Sequence, residues 1–211
     1  MAAARRLPEG SANVRQGEWR TWGPQTLLGQ DVWGATLGVI GLGRIGQAMA
    51  RRGKGFAMRV LFTDPHCKAE GAALGAECVP LETLLAEADF VSLHCPLTPE
   101  TRGLIGAREL RRMRPTAILI NTARGAIVQQ EALLQALREG WIAGAALDVT
   151  DPEPLPPTHP LVGLPSCLIT PHIASASVTA RTRMAVLAAE NLLAGLRGER
   201  LPHCVNPQVY A

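Results

Sequence analysis

Apolar residues gather in short blocks along this chain rather than falling singly among polar ones. From residue 36 onward six such runs recur: TLGVIG (36–41), RVLFTD (59–64), FVSLHC (90–95), AILINT (117–122), GAALDV (144–149) and CLIT (167–170). Each reads as a strand that is apolar on both faces, the pattern of a sheet covered on both sides. Between them lie stretches that read as helices, over 44–56, about 67–75, 81–87, 107–113 and 129–139. Strand alternating with helix predicts parallel βαβ units, hence an α/β fold with a doubly wound parallel sheet. A longer amphipathic stretch, 176–197, is rich in alanine and leucine and ends at Gly198. Residues 1–35 break the rhythm, with a polar helical piece from Pro8 to Gly17 and a connector carrying Trp19, Trp22 and Trp33.

Composition narrows the function classes. With 47% hydrophobic and 18% charged residues, the chain is expected to be globular and soluble rather than disordered. The net charge is +3 and the arginines are scattered, with pairs at Arg5–Arg6, Arg51–Arg52 and Arg111–Arg112, so no nucleic-acid partner is expected. The five cysteines, Cys67, Cys78, Cys95, Cys167 and Cys204, form no CxxC pair. They suggest a reducing compartment and no metal site. No run of 18 apolar residues and no apolar leader core is present, so a cytoplasmic protein without membrane contact is expected.

The first strand runs straight into Gly41-Leu-Gly43-Arg-Ile-Gly46, and helix-forming residues follow. A lone GxGxxG is common by chance; one between a strand and a helix is a dinucleotide cradle. Gly41 permits the tight turn, Gly43 lets backbone amides approach a pyrophosphate, and Gly46 allows close helix–strand packing. The amides of Arg44 and Ile45 then face the phosphates at the positive end of the helix. The second strand ends in Asp64, 18 residues beyond Gly46. A carboxylate there accepts from a ribose diol and repels a 2′-phosphate, which favours NAD(H) and leaves NADP(H) open, Lys68 being a weak phosphate partner.

Three ionisable residues follow three later strands: Arg124 after ILINTA, Glu153 after ALDVTDP and His172 after CLITP. In an open parallel sheet the ligand crevice lies outside the carboxyl ends of the strands, so all three point to one place. They supply the parts of a carbonyl reduction: a cation for the substrate's oxygens, a proton donor, and an acid that keeps the donor charged.

GLGRIG, HCPLTPET (94–101), NTARG (121–125), LDVTDPEP (147–154) and PHIAS (171–175), in that order, resemble the D-isomer-specific 2-hydroxyacid dehydrogenases. LDVTDPEPLPPTHPL and NLLAGLRGERLP are similar to segments of the glyoxylate/hydroxypyruvate reductase branch, and the likeness runs from about Arg5 to Asn206. It implies that Arg124 binds a substrate carboxylate and orients its ketone, that His172 protonates the ketone oxygen, and that Glu153 pairs with the imidazole and raises its pKa. It further implies that Asp148 accepts from the nicotinamide carboxamide, that Cys95, Pro96 and Thr122 line the cofactor through their backbone, and that Ser175 stands near the nicotinamide. The substrate would be a small 2-oxo or 2-hydroxy acid, and relatives pair as homodimers through the cofactor domain.

The resemblance also implies a division of the chain. Residues 1–22 match the helix and connector between two domains, 23–175 the Rossmann-like cofactor domain, and 176–211 a helix and strand returning to a flavodoxin-like substrate domain. The first part of that substrate domain has no counterpart here. Retained cofactor binding with weak or absent turnover is therefore expected, and a truncated cofactor-binding protein stays open as an alternative. An NAD(H)-sensing interaction module like the C-terminal-binding corepressors keeps the same three ionisable residues, yet its peptide groove needs the missing segment. An S-adenosylmethionine methyltransferase also pairs a glycine loop with an acid, but has no use for a carbonyl-reduction set.

Overall fold

In the computed structural model, which describes residues 1–66 and 68–210, each of the six apolar runs is a strand. They are β1 (Thr36–Ile40), β2 (Arg59–Thr63), β4 (Phe90–Leu93), β5 (Ile118–Asn121), β6 (Gly144–Leu147) and β7 (Cys167–Ile169), joined by a two-residue edge strand β3 (Glu77–Cys78) that the hydrophobic pattern did not predict. The seven strands are parallel throughout, in the order β3-β2-β1-β4-β5-β6-β7. The order reverses between β1 and β4, which makes their carboxyl ends the switch point of a doubly wound sheet. One helix, α1 (Leu7–Arg15), precedes the first strand, and the others lie between successive strands: α2 (Arg44–Gly55), α3 (Lys68–Ala73), α4 (Leu81–Glu87), α5 (Ala107–Arg112) and α6 (Gln130–Arg138). Cys67, where the third helix was expected to begin, and Ala211 lie outside the described residues.

Alternation along the strands explains why both faces are apolar. Leu37, Val39, Val60, Phe62 and Phe90 point into a core shared with Ala50 of α2. Their neighbours Ile40, Leu61, Val91, Leu93, Leu119 and Leu147 point into a larger core with leucines of α4, α5 and α6. A strand side chain flips faces at every residue, so a run apolar at all positions supplies two cores at once. Close approach of helix to sheet uses glycine: a Cβ on Gly38 of β1 would stand 2.5 Å from a methyl of Leu84.

The chain divides into two compact units, Met1–Pro171 and His172–Ala211. The second is built on α7 (Val178–Leu196), capped where the Ser177 hydroxyl accepts from the amide of Ala180 at 3.1 Å and closed beyond Arg197 by Gly198 at φ 70°. No strand follows it among the described residues, where one was expected. Asn191 of the helix bonds both the amide and the carbonyl of His203, at 2.9 and 3.2 Å, and a 3₁₀ turn covers Pro207–Tyr210. Pinned to the helix and flanked by Pro202 and Pro207, the segment has no neighbouring strand among the described residues of its unit to pair with. No helix among the described residues is long and apolar enough to cross a membrane.

Cys167 on β7 gives a measurable check on the larger core. Burial disfavours its thiolate and pushes its pKa up to about 12. The unfolded chain therefore releases this proton first as pH rises past the ordinary thiol value, and stability falls there. Urea midpoints should show the stability advantage of the wild type over Cys167→Ala shrinking by about 1 kcal/mol between pH 8 and pH 10. An unchanged difference would mean the thiol is not sequestered.

Candidate functional site

The turn after β1 is held by backbone. Gly41, at φ 89°, donates its amide to Thr63 O at 3.0 Å, and His94 donates to Ile40 O at 2.8 Å, which draws the ends of β2, β1 and β4 together. A Cβ on Gly46 would stand 2.1 Å from the carbonyl oxygen of Gly41, so the first turn of α2 can lie on the glycine turn only with glycine there. Gly43 differs from both: its φ of −65° suits any residue, and a Cβ would meet nothing within 4 Å. It keeps open the space in front of α2, whose first amides, Arg44, Ile45 and Gly46, have no acceptor within the helix. No acidic residue stands in that first turn. Open space, free donors and a positive helix end fit a pyrophosphate.

Asp64 closes the turn from the side, where its carboxylate accepts from Leu42 N at 2.7 Å and from His66 N at 2.8 Å. It borders a cavity of about 570 Å³ that also touches Gly41, Gly43 and the loop after β4. A second cavity, about 490 Å³, shares His94, Cys95 and Pro96 with the first and extends to Ile45 and Thr122–Arg124. Gly41, Gly43, Ile45, Asp64, Cys95, Pro96, Thr122 and Arg124 thus line two adjoining hollows at the sheet's carboxyl edge. One ends at a carboxylate and the other at a guanidinium.

Between the hollows stands His94, which sequence reasoning passed over although it opens the HCPLTPET motif. Its ring is half-buried, which pushes the imidazole below its ordinary pKa, and its Nε2 lies 2.9 Å from the Oγ of the buried Ser92. Burial likewise raises the Cys95 thiol. The loop beyond is fixed by Thr101, whose hydroxyl donates to Pro96 O at 2.6 Å and accepts from Thr98 N at 2.8 Å. The available signal was position: His94 directly follows β4, the strand that flanks the switch point.

Farther along the edge, the buried Asn121 folds its amide back onto its own turn, accepting from Ala123 N at 3.0 Å and donating to Arg124 O at 2.9 Å. Asp148, 5% exposed at the end of β6, donates its amide to Asn121 O at 2.9 Å and accepts from the Thr170 hydroxyl at 2.6 Å. In the loop after β6, Thr150 N donates to the Glu153 carboxylate at 3.4 Å. His172 and Ser175 open the second unit. His172 stands at φ 54°, a left-handed conformation that a residue with a ring rarely adopts, and Ser175 O accepts from Ser177 N at 2.9 Å. Among the described residues, no cluster of three His, Cys, Asp or Glu side chains could hold a metal ion.

Comparison with known proteins agrees with this geometry. Residues 1–174 match the family model described as D-isomer specific 2-hydroxyacid dehydrogenase, NAD binding domain. The chain is 56% identical over 211 residues to a glyoxylate reductase of Korarchaeum cryptofilum, covering 99% of this chain and 64% of that protein. It is 50% identical over 204 residues to the glyoxylate reductase/hydroxypyruvate reductase of Mus musculus, covering 96% of this chain and 62% of the mouse protein. Among solved structures, the TT0316 protein from Thermus thermophilus superposes with a TM-score of 0.91 at 55% identity, over 97% of this chain and 64% of that one. The apo D-lactate dehydrogenase of Escherichia coli superposes with 0.87 at 35% identity, over 96% and 63%. The chain therefore spans less than two thirds of each of these proteins.

Gly43→Ala and Gly46→Ala separate ligand space from packing. Gly43→Ala should keep the wild-type melting temperature yet bind NADH about tenfold more weakly by fluorescence titration, since its methyl occupies only the cradle. Gly46→Ala should lose stability as well as binding, because its methyl has backbone to displace. Equal melting curves for the two variants would remove the distinction.

Proposed function

This chain belongs to the D-isomer specific 2-hydroxyacid dehydrogenases through their NAD-binding domain, and from that premise we propose that it serves the reduction of a small 2-oxo acid, of the glyoxylate or hydroxypyruvate kind, to the D-2-hydroxy acid. The observation that carries the reading is the place of Arg124, on a strand-end turn beside the hollow that adjoins the glycine cradle. A guanidinium there can hold a carboxylate by two parallel hydrogen bonds and leave the adjacent keto carbon against the cofactor. NAD(P)H, when bound, supplies the hydride.

The remaining roles follow the charges the reaction develops. His172 gives a proton to the ketone oxygen, and Glu153 favours the charged form of that imidazole. Support comes from the bond between Glu153 and Thr150 N, which ties the acid to the end of β6, and from the left-handed backbone at His172, a conformation common where a side chain is held for use. Asp148 accepts from the nicotinamide carboxamide. Cys95, Pro96 and Thr122 meet the cofactor through backbone, and Ser175 stands beside the nicotinamide. Asp64 accepts from the ribose diol and selects NAD(H) over NADP(H), because a 2′-phosphate would meet its carboxylate.

The same reading assigns residues 1–22 to the connector between two domains, 23–175 to the cofactor domain, and 176–211 to a return toward the substrate domain. It takes the molecule to be cytoplasmic and a homodimer joined through the cofactor domain, where the exposed Trp33 offers apolar surface to a second copy.

Fluorescence titration should show NADH bound at least about tenfold more tightly than NADPH. NADH oxidation should be weak yet depend on added glyoxylate or hydroxypyruvate, and Arg124→Ala should abolish that dependence while leaving NADH affinity within about twofold. A wild-type chain that binds NADH but oxidises it with neither acid would leave cofactor binding and remove the reductase.

A further inference from the structure

Two loops at the carboxyl edge touch each other backbone to backbone. Gly125 follows Arg124 and begins the 3₁₀ turn Gly125–Ile127. A Cβ built on it would stand 2.0 Å from Thr150 O, 2.1 Å from Thr150 C and 2.7 Å from Asp151 N. All three are main-chain atoms of the loop that carries Glu153, so no flexible side chain is there to give way. Gly125 is not among the glycines with positive φ. It is glycine for closeness alone.

Both partners in the contact are held. On one side, Arg124 O accepts from Asn121 Nδ2 at 2.9 Å and from Ile127 N at 3.2 Å. On the other, Asp151 N donates to Oε1 of Gln130, the first residue of α6, at 3.2 Å, and the Thr150 hydroxyl donates to Pro152 O at 2.8 Å. Real Cβ atoms essentially never lie under 3.0 Å from such neighbours, so one added carbon must part the loops by an ångström or more. Thr122–Arg124 form a wall of the second cavity and take no part in the first, which ends at Asp64.

On the reductase reading of Arg124 and Glu153, we propose that Gly125 is a positioning residue: its contact with Thr150 sets the spacing between the carboxylate-binding turn and the Glu153 loop, and so the nicotinamide half of the cofactor site. Gln130 is the brace that keeps Thr150–Asp151 in place for that contact. Neither residue touches the adenosine half.

The test compares two ligands on the full 211-residue chain: NADH, and ADP-ribose, which lacks the nicotinamide. Gly125→Ala should bind ADP-ribose within about twofold of wild type and NADH about tenfold more weakly. Gln130→Ala should show the same split at about threefold, and Gln130→Glu, which keeps an acceptor for Asp151 N–H, should restore the wild-type ratio. These glutamine variants decide the matter if Gly125→Ala does not fold. A folded Gly125→Ala that binds both ligands like wild type, or weakens both equally, would overturn the spacer. So would a Gln130→Ala with an unchanged ratio, or a Gln130→Glu that fails to restore it. A wild-type chain that binds ADP-ribose but gains nothing from the nicotinamide in NADH would instead overturn the reductase reading.

Discussion

The carboxyl edge of the sheet rests on a backbone contact at its switch point. A Cβ on Gly41 would stand 2.5 Å from Cys95 N and 2.7 Å from Cys95 Cα, so the turn after β1 lies directly against the start of the loop after β4. With Gly41 at φ 89°, glycine is needed there for conformation and for closeness together. From this contact the other constraints follow in order. Gly46 sits on the carbonyl of Gly41, which points the first turn of α2 into the crevice. Leu42 N finds the Asp64 carboxylate, which ties β2 to the same turn. His94 and Cys95, drawn to Gly41, become the ridge between the two cavities.

The charges around that edge are arranged to suit a ligand negative in its middle and at its far end. Desolvation disfavours charge on the ridge between the cavities, lowering the pKa of the His94 imidazole and raising that of the Cys95 thiol. The unsatisfied amides of α2 provide partial positive charge without the desolvation cost of burying a cation. The formal charges at the two extremes suit a ligand's polar ends, a carboxylate for hydroxyls at one side and an exposed guanidinium at the other.

Sequence patterns revealed most of this edge, for physical reasons that also explain the omissions. Strands buried on both faces are apolar at every position, so β1, β2, β4, β5, β6 and β7 stand out, and the polar residues that follow them fall on the ligand side of the sheet. The edge strand Glu77–Cys78 has both residues exposed and pairs only with Leu61 and Phe62, so no hydrophobic pattern marks it. A strand after α7 was expected from resemblance, yet strand formation needs an edge to bond, and Asn191 takes the backbone of His203 instead. Ser92 and Asn121 are buried, His94 bonds to Ser92 and Asn121 to its own turn, and composition and spacing report neither burial nor such bonds.

Glycine shows the limit most sharply. Gly41, Gly43, Gly46 and Gly125 look alike as letters but act differently: positive φ at the first, empty ligand space at the second, packing at the third, contact with a remote loop at the last. The first three belong to one contiguous motif, so the glycine cradle can be read locally, although Gly41 also lies against Cys95. Gly125 depends on Thr150, a residue from another crossover, and its meaning exists only once β5 and β6 are side by side. On the reductase reading, the half of the site that would hold a carbonyl is assembled from such contacts between distant loops. A single added carbon at Gly125 would therefore meet the backbone of a remote loop, as one at Gly46 meets the backbone of its own turn.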